Sequence, residues 1–351
     1  MMRKFSLIVL LGYLLVSPQL AAGEEPRYPV LDSKVPVDER THPIWLNDHQ
    51  VLFVGYELDP VKPPKQDGMA WVIPQGAYVW DLEKETAARD HSWDGTAKWC
   101  VSGEFRSFLR LRPGTQKTYD IVQGKVGQEQ VQPYPAKHWF NKNSCHHYDL
   151  KPEWVDERRV RRALLEEHGY LDFGPWANVD RSDAARIVFY RPNEKEPLTL
   201  PLNPNRVLNL IEYVEFENAY LLDSKRQTTY PAPVWLLKPD GTVTKIFEPT
   251  GKAWERIGWS FVHLTRSGLF FFGGSAGYST VATAGGYLLA KEVPQKLIAG
   301  LVWNESVSPD GCKVAFVHVL HSQAGADSAK ALRAGKPGLR TLKMIDLCKG
   351  E

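Results

Sequence analysis

The sequence has no surplus of charge, no second long apolar run, no Cys-x-x-Cys pair and no Gly-Lys-Ser/Thr phosphate cradle. Each absence removes a class of function. Lys and Arg number 43 against 41 Asp and Glu, and setting aside Arg3 and Lys4 makes the two signs equal. Nucleic-acid binding draws its affinity from clustered positive charge, so it is set aside. Without paired cysteines at short spacing, metal binding through sulfur has no support. Apart from residues 5–16 (FSLIVLLGYLLV), no stretch is apolar for long enough to form a membrane helix.

That first run follows a basic start and precedes the small residues Ala21, Ala22 and Gly23. It is too short for a bilayer span of about 20 residues and reads as a secretory signal over residues 1–23, with an uncleaved anchor as the other reading. The expected destination is the periplasm or the exterior, with no membrane span in the mature chain. The rest is rich in what strands and tight turns use: 12 Trp, 14 Tyr, 14 Phe, 25 Pro and 27 Gly. A single domain over residues 24–351 is expected, because large all-β folds run long.

The strongest signal is internal repetition. Residues 302–317 form an alternating strand, the turn Ser308-Pro309-Asp310-Gly311, and a second strand; residues 341–347 (TLKMIDL) follow after a gap. The first part recurs at 44–54, 99–111, 164–173, 211–222 and 259–272. The second recurs at 77–82 (AYVWDL) and 146–150 (HHYDL), and more loosely at 186–190, 234–237 and 286–289. Taking Val51, Arg106, Tyr170, Ala219, Leu269 and Val314 as equivalent, the repeat spans 45 to 64 residues. Such a period means a propeller or a solenoid, and strands without helical patterns between them favour the propeller. Short fourth strands are expected at 198–200, 243–247 and 296–298. The cassette SPDGCKVAFV followed by KMIDL resembles the blade signature of TolB-type, WD40-like β-propellers. The resemblance implies the fold and leaves the activity open. We therefore expect an all-β, six-bladed β-propeller, with seven blades as the alternative. The last repeat lacks a fourth strand, so residues 27–31 are expected to supply it and close the ring.

Cys312 opens the second strand of the last repeat and Cys348 ends its third, so antiparallel pairing should bring the sulfurs together. Whether Cys100 pairs with Cys145 is left open. In this topology the loops between second and third strands share one face, and three are long: 56–76, 113–144 and 320–338. They belong to repeats that become neighbours when the ring closes. The candidate ligand- or partner-binding residues are Trp71, Tyr134, Lys137, His138, Trp139 and His146, groups able to stack on a ligand and hydrogen-bond it. His146 and His147 are adjacent and would point to opposite faces of a strand, so no metal site is assigned.

Gly273-Gly274-Ser275-Ala276-Gly277 matches the nucleophile elbow G-x-S-x-G, and Asp310 and His318 follow in hydrolase order. The stretch after it is β-branched and glycine-rich rather than helical, so no catalytic residue is assigned. The functional expectation is a monomeric recognition or docking module for a protein or small ligand, an envelope protein or glycan being the expected partner, without cofactor. The alternative is a hydrolase or lyase with its site at the propeller channel; a third possibility is a propeller whose partner domain lies on another chain.

Overall fold

The structure, a computed structural model, describes residues 28–57, 65–67, 70–72, 75–90, 99–102, 105–111, 119–128, 130–133, 160–165, 168–175, 187–202, 209–223, 233–248, 259–274, 283–290, 293–320 and 340–350. The expected signal segment lies outside them. The described chain is all-β, with 26 strands in chain order. After β1 (Val30–Pro36) come β2 (Ile44–Asn47), β3 (Gln50–Tyr56), the hairpin β4 (Lys65–Asp67) and β5 (Ala70–Val72), then β6 (Gln75–Asp81) and β7 (Thr86–Arg89). Strands β2-β3-β6-β7 form sheet I, with the β4–β5 hairpin inserted between its second and third strands. Sheet II is β8 (Trp99–Ser102), β9 (Phe105–Leu111), β10 (Tyr119–Lys125) and β11 (Gln132–Pro133). Sheet III is β12 (Val160–Leu164), β13 (Tyr170–Pro175), β14 (Ile187–Tyr190) and β15 (Leu198–Leu200). Sheet IV is β16 (Asn209–Val214), β17 (Ala219–Asp223), β18 (Val234–Leu237) and β19 (Val243–Phe247). Sheet V is β20 (Trp259–Thr265), β21 (Gly268–Gly273), β22 (Gly285–Leu289) and β23 (Gln295–Ala299). Sheet VI joins β24 (Leu301–Val307), β25 (Lys313–Val319) and β26 (Thr341–Asp346) to β1, which pairs antiparallel with β26 from Val30↔Ile345.

One strand is not where the repeat placed it. The third strand of sheet II is β10, which pairs with β9 from Tyr119↔Leu111 to Lys125↔Phe105 without a shift. Residues 146–150 echo the Asp-Leu ending of other third strands, but a nearer partner closes a shorter loop at lower entropic cost. Sheet II is therefore complete at Pro133, and the stretch holding Tyr134 to His146 follows its fourth strand.

The second strands β3, β17, β21 and β25 read as near-continuous apolar runs because both of their faces are covered. All of β17 is buried, and β21 and β25 are buried after their first residue. Outer strands such as β7 and β19 are half-exposed. Neighbouring sheets share cores. Leu171 and Phe189 of sheet III meet Tyr220 and Leu237 of IV; Leu221 and Leu236 of IV meet Val262 and Phe271 of V. Phe270 and Leu288 of V meet Phe316 and Ile345 of VI; Val317 and Met344 of VI meet Phe53 and Trp80 of I. Leu52 and Ala77 of I pack with Val126, just beyond β10. The first strands also touch in succession (β16 with β20, β20 with β24, β24 with β2, β2 with β8), so they form a common inner edge.

The meander gives the assembly two unlike ends. Turns from first to second and from third to fourth strands leave at one end, and none exceeds seven residues. Connections from second to third strands and between sheets leave at the other, and every connection longer than seven residues is there. We call these the turn end and the loop end.

At the turn end, the Pro-Asp-Gly turn of sheet VI is tied to three other sheets. Asp310 N–H donates to Asp48 Oδ1 of sheet I at 2.8 Å. Arg266 of sheet V donates from Nε to Asp310 O at 2.6 Å and from its backbone N–H to Gly311 O at 2.9 Å. Gly311 has φ +76°, and a Cβ there would lie 2.4 Å from the Phe216 ring of sheet IV. Beside this turn, Cys312 and Cys348 are joined, with Cα atoms 5.2 Å apart across 36 residues. Cys100 lies on β8, while Cys145 is outside the described residues.

Two expectations follow for stability. Replacing Cys312 and Cys348 by serine should lower the unfolding free energy by about 3–4 kcal/mol, the loop-closure entropy of such a bridge. Urea unfolding with the same midpoint as the unaltered chain would show that the bridge does not form. Gly311→Ala should cost about 1–3 kcal/mol, through left-handed backbone strain and the clash with Phe216.

Candidate functional site

Three ionisable residues hold the same rank on consecutive inner strands. Glu212, His263 and Glu305 each stand two residues before the end of their strand, β16, β20 and β24 respectively. Each of these strands slips in register against its second strand: between Leu210 and Glu212, between Trp259 and Val262, and between Trp303 and Ser306. Bulges of this kind turn a strand and re-aim its side chains. In β24 the slip coincides with Asn304 at φ 53°, whose side-chain amide donates to Glu39 O at 2.6 Å and Thr41 O at 3.0 Å. Trp45 has the same rank on β2, and its indole N–H donates to Ser306 O at 3.0 Å. Cys100 and Arg162 have that rank on β8 and β12.

His263 is 7 % exposed, and its Nδ1 lies 2.7 Å from Glu212 Oε2. Its Nε2 is buried and has no hydrogen-bond partner among the described residues. Burial by itself pushes the imidazole toward its neutral form. The Glu212 charge, the hydrogen bond to it and the field of Glu305 outweigh that, so the pKa of His263 is raised. The pair links sheets IV and V and holds a proton at the inner edge. Such a proton is available for general acid–base work or for adjusting the charge of Glu212.

Of the candidate binding residues read from the sequence, only Trp71 falls among the described residues. Trp71 lies on β5 of the inserted hairpin, while Tyr134, Lys137, His138, Trp139 and His146 lie outside the described residues. Ser275, Ala276 and Gly277 of the elbow-like motif lie outside the described residues, and Asp310 and His318 do not stand together. Asp310 sits in the turn before β25 and His318 near that strand's far end, on the order of 17 Å or more away at 3.3 Å per residue. Both have structural occupations. Burial would raise the Asp310 carboxyl, but hydrogen bonds from Ser308 and the Cys312 backbone, with the Lys313 charge, lower it. His318 donates from Nε2 to Ala299 O at 2.8 Å, and burial lowers its pKa. Among the described residues no three His, Cys, Asp or Glu side chains group as a metal-binding set, and no helix is long and apolar enough to cross a membrane.

Glu212, His263 and Glu305 were not singled out from sequence. The signal that points to them is positional: an ionisable residue at one fixed distance before the first turn in four successive repeats, Arg162, Glu212, His263 and Glu305.

No protein-family model matches the chain, and no curated protein matches it. Solved structures are similar at a distance. The β-propeller domain of the Trilobed protease from Pyrococcus furiosus is 10 % identical with a TM-score of 0.47, over 90 % of this chain and 94 % of that one. Pyrococcus horikoshii acylaminoacyl peptidase is 11 % identical with a TM-score of 0.45; 81 % of this chain matches 51 % of its length, so the chain spans about half of that enzyme. TolB from Acinetobacter baumannii is 12 % identical with a TM-score of 0.25, over 91 % of this chain and 54 % of that one. Likenesses at this level carry no site or activity across.

The two buried histidines should titrate in opposite directions. His263 binds its proton more tightly when folded, so it adds stability below about pH 6.5 and loses it as pH rises through its folded pKa. His318 adds stability above about pH 6.5 and loses it as pH falls toward its depressed folded pKa. NMR titration of the imidazole protons should place His263 above that value and His318 below it; the reverse order would contradict the described environments.

Proposed function

We propose that the chain is an exported six-bladed β-propeller acting as a recognition or docking module for a protein or glycan of the cell envelope, with the loop end as its contact surface. The observation that carries this reading is the asymmetry of the connections, since every one longer than seven residues leaves at the loop end. Binding residues are commonly placed on long loops that a rigid scaffold positions. The stretch with Tyr134, Lys137, His138 and Trp139, and His146 beyond it, follows the fourth strand β11 and precedes β12, so in chain order it belongs to the connection from sheet II to sheet III. Trp71 belongs to the hairpin inserted in a loop-end connection of sheet I.

The six four-stranded sheets support a reading of six blades: four successive pairs share a core, and Val126 beside β10 packs on sheet I. Closing the ring needs contact between sheets II and III. The pairing of β1 with β26 supports closure, because it covers an edge that would otherwise be unpaired and binds the first and last described strands into one sheet. The apolar start at residues 5–16 supports export.

A second reading, a hydrolase or lyase of exported glycans or esters working at the inner edge, is favoured by the buried His263 between Glu212 and the field of Glu305. A substrate screen of the unaltered chain beside His263→Gln separates the two readings, since the enzyme reading requires a turnover that the variant loses.

The recognition reading is tested by cross-linked capture from the envelope, comparing the mature chain with a variant lacking residues 134–142. That deletion leaves β11 intact. The expected result is a partner retained by the mature chain and lost by the variant. Equal capture by both, or capture by neither, would move the contact surface away from this loop or end the docking reading.

A further inference from the structure

At the inner edge of sheets IV, V and VI the balance of charge turns on one proton. Strands β16, β17, β21 and β24 pack against β20. These five strands carry the carboxylates of Glu212, Asp223 and Glu305 and the phenols of Tyr213 and Tyr220, but no Lys or Arg. Asp223 ends β17 at the loop end, so the carboxylates at the rank of His263 are Glu212 from sheet IV and Glu305 from sheet VI. Arg266, just beyond β20, is engaged at the turn end by Asp310 O and the Phe216 ring. An imidazolium at His263 is therefore the one positive group that these strands can set between the two carboxylates.

The two ring nitrogens are not used alike. His263 Nδ1 meets Glu212 Oε2 at 2.7 Å. Nε2 is buried with no hydrogen-bond partner among the described residues, on a side chain that is 7 % exposed. A buried N–H without an acceptor costs about 1–3 kcal/mol, so Nε2–H calls for one. Glu305 acts on the imidazole through its charge and not through a direct hydrogen bond. A single water satisfies that relation, accepting from Nε2–H and donating to the carboxylate.

We propose that Glu212, His263 and Glu305 form a proton-operated clasp across sheets IV, V and VI, with one buried water between Nε2–H and the Glu305 carboxylate. The imidazolium has two N–H groups and serves both carboxylates. Neutral imidazole has one and can serve only one of them, which leaves two like charges at the junction without their cation. Burial disfavours the proton on His263, but Glu212 and Glu305 outweigh it, so the clasp stays closed past the ordinary histidine value. It loosens as pH rises through the folded pKa. What loosens is the inner edge where the three first strands meet, while the apolar cores between the sheets stay intact. The clasp needs neither substrate nor partner, so it stands or falls apart from both readings of function.

The experiment follows the full chain by NMR and amide hydrogen exchange at about pH 6 and about pH 9, either side of the clasp's opening, beside Glu305→Gln, which keeps the side-chain shape and removes its charge. At the lower pH the His263 Nε2–H signal should persist and show a contact to water. Protection of the β20 amides, corrected for the intrinsic pH dependence of exchange, should fall by about tenfold at the higher pH, the loss of one charge-assisted hydrogen bond. Protection of β6 in sheet I should not change. In Glu305→Gln the His263 midpoint should fall, and the loss of β20 protection should move to lower pH with it. An unchanged His318 titration shows that this variant is folded. The clasp is overturned if β20 protection is the same at both pH values, if β6 loses protection alike, or if Glu305→Gln leaves the His263 midpoint unmoved. An Nε2–H that exchanges as fast as the ring protons of the exposed His49 overturns the bridging water.

Discussion

Everything in this structure depends on covering the apolar faces of its four-stranded sheets. A sheet whose second strand reads Val-Ala-Phe-Val or Leu-Phe-Phe-Phe has no face to offer water, and one neighbour can hide only one side of it. Stacking must therefore continue from sheet to sheet. Phe270 and Phe271 show how this works: adjacent on β21, they point to opposite faces, one into the core shared with sheet VI and the other into the core shared with sheet IV. Fully burying a side chain of this size contributes about 1.5–3 kcal/mol. The same rule explains why the outer strands tolerate charge, since only one of their edges is paired and their faces reach the rim of each stack.

Stacked sheets crowd where their first strands converge, and there the covering changes from apolar to polar. Four-stranded sheets packed face to face leave little room at the inner edge for large apolar groups from every strand. Register slips on β16, β20 and β24 let the strands bend there, and a histidine buried against a carboxylate fills the junction of sheets IV and V. Removing one member of such a pair would leave the other charged and buried, which is why the two belong together energetically. The turn end is laced by backbone and side-chain contacts among sheets IV, V, VI and I. The loop end takes all the long connections. An end of short turns and an end of long connections on one scaffold follow from the meander itself.

Much of the strand plan was legible in the residues. The fourth strands β15 and β19 stand at 198–200 and 243–247, where short β-branched segments after a turn placed them. The cassette around the Pro-Asp-Gly turn set the positions of β24, β25 and β26, and hence the meeting of Cys312 with Cys348. Sheet II was the failure. Residues 146–150 carry a better echo of the repeat than β10 does, and similarity between distant segments says nothing about which nearby strand closes the shorter loop. That error also moved Tyr134 to His146 from a loop inside a sheet to a connection between sheets.

The sequence by itself determined the class and the period: strands rather than helices, a repeat of about fifty residues, and the apolar runs that call for cover on both faces of a sheet. Those are properties of neighbouring residues, visible in alternation and turn chemistry. Only the tertiary structure decided that Glu212 and His263, 51 residues apart, share a hydrogen bond, and that Asp310 and His318, eight apart, stand toward opposite ends of a strand. The physical reason is that a strand separates residues by length, while stacking brings together residues of equal rank on different strands. No local pattern records that second relation, because the distance it closes runs across the sheets and not along the chain.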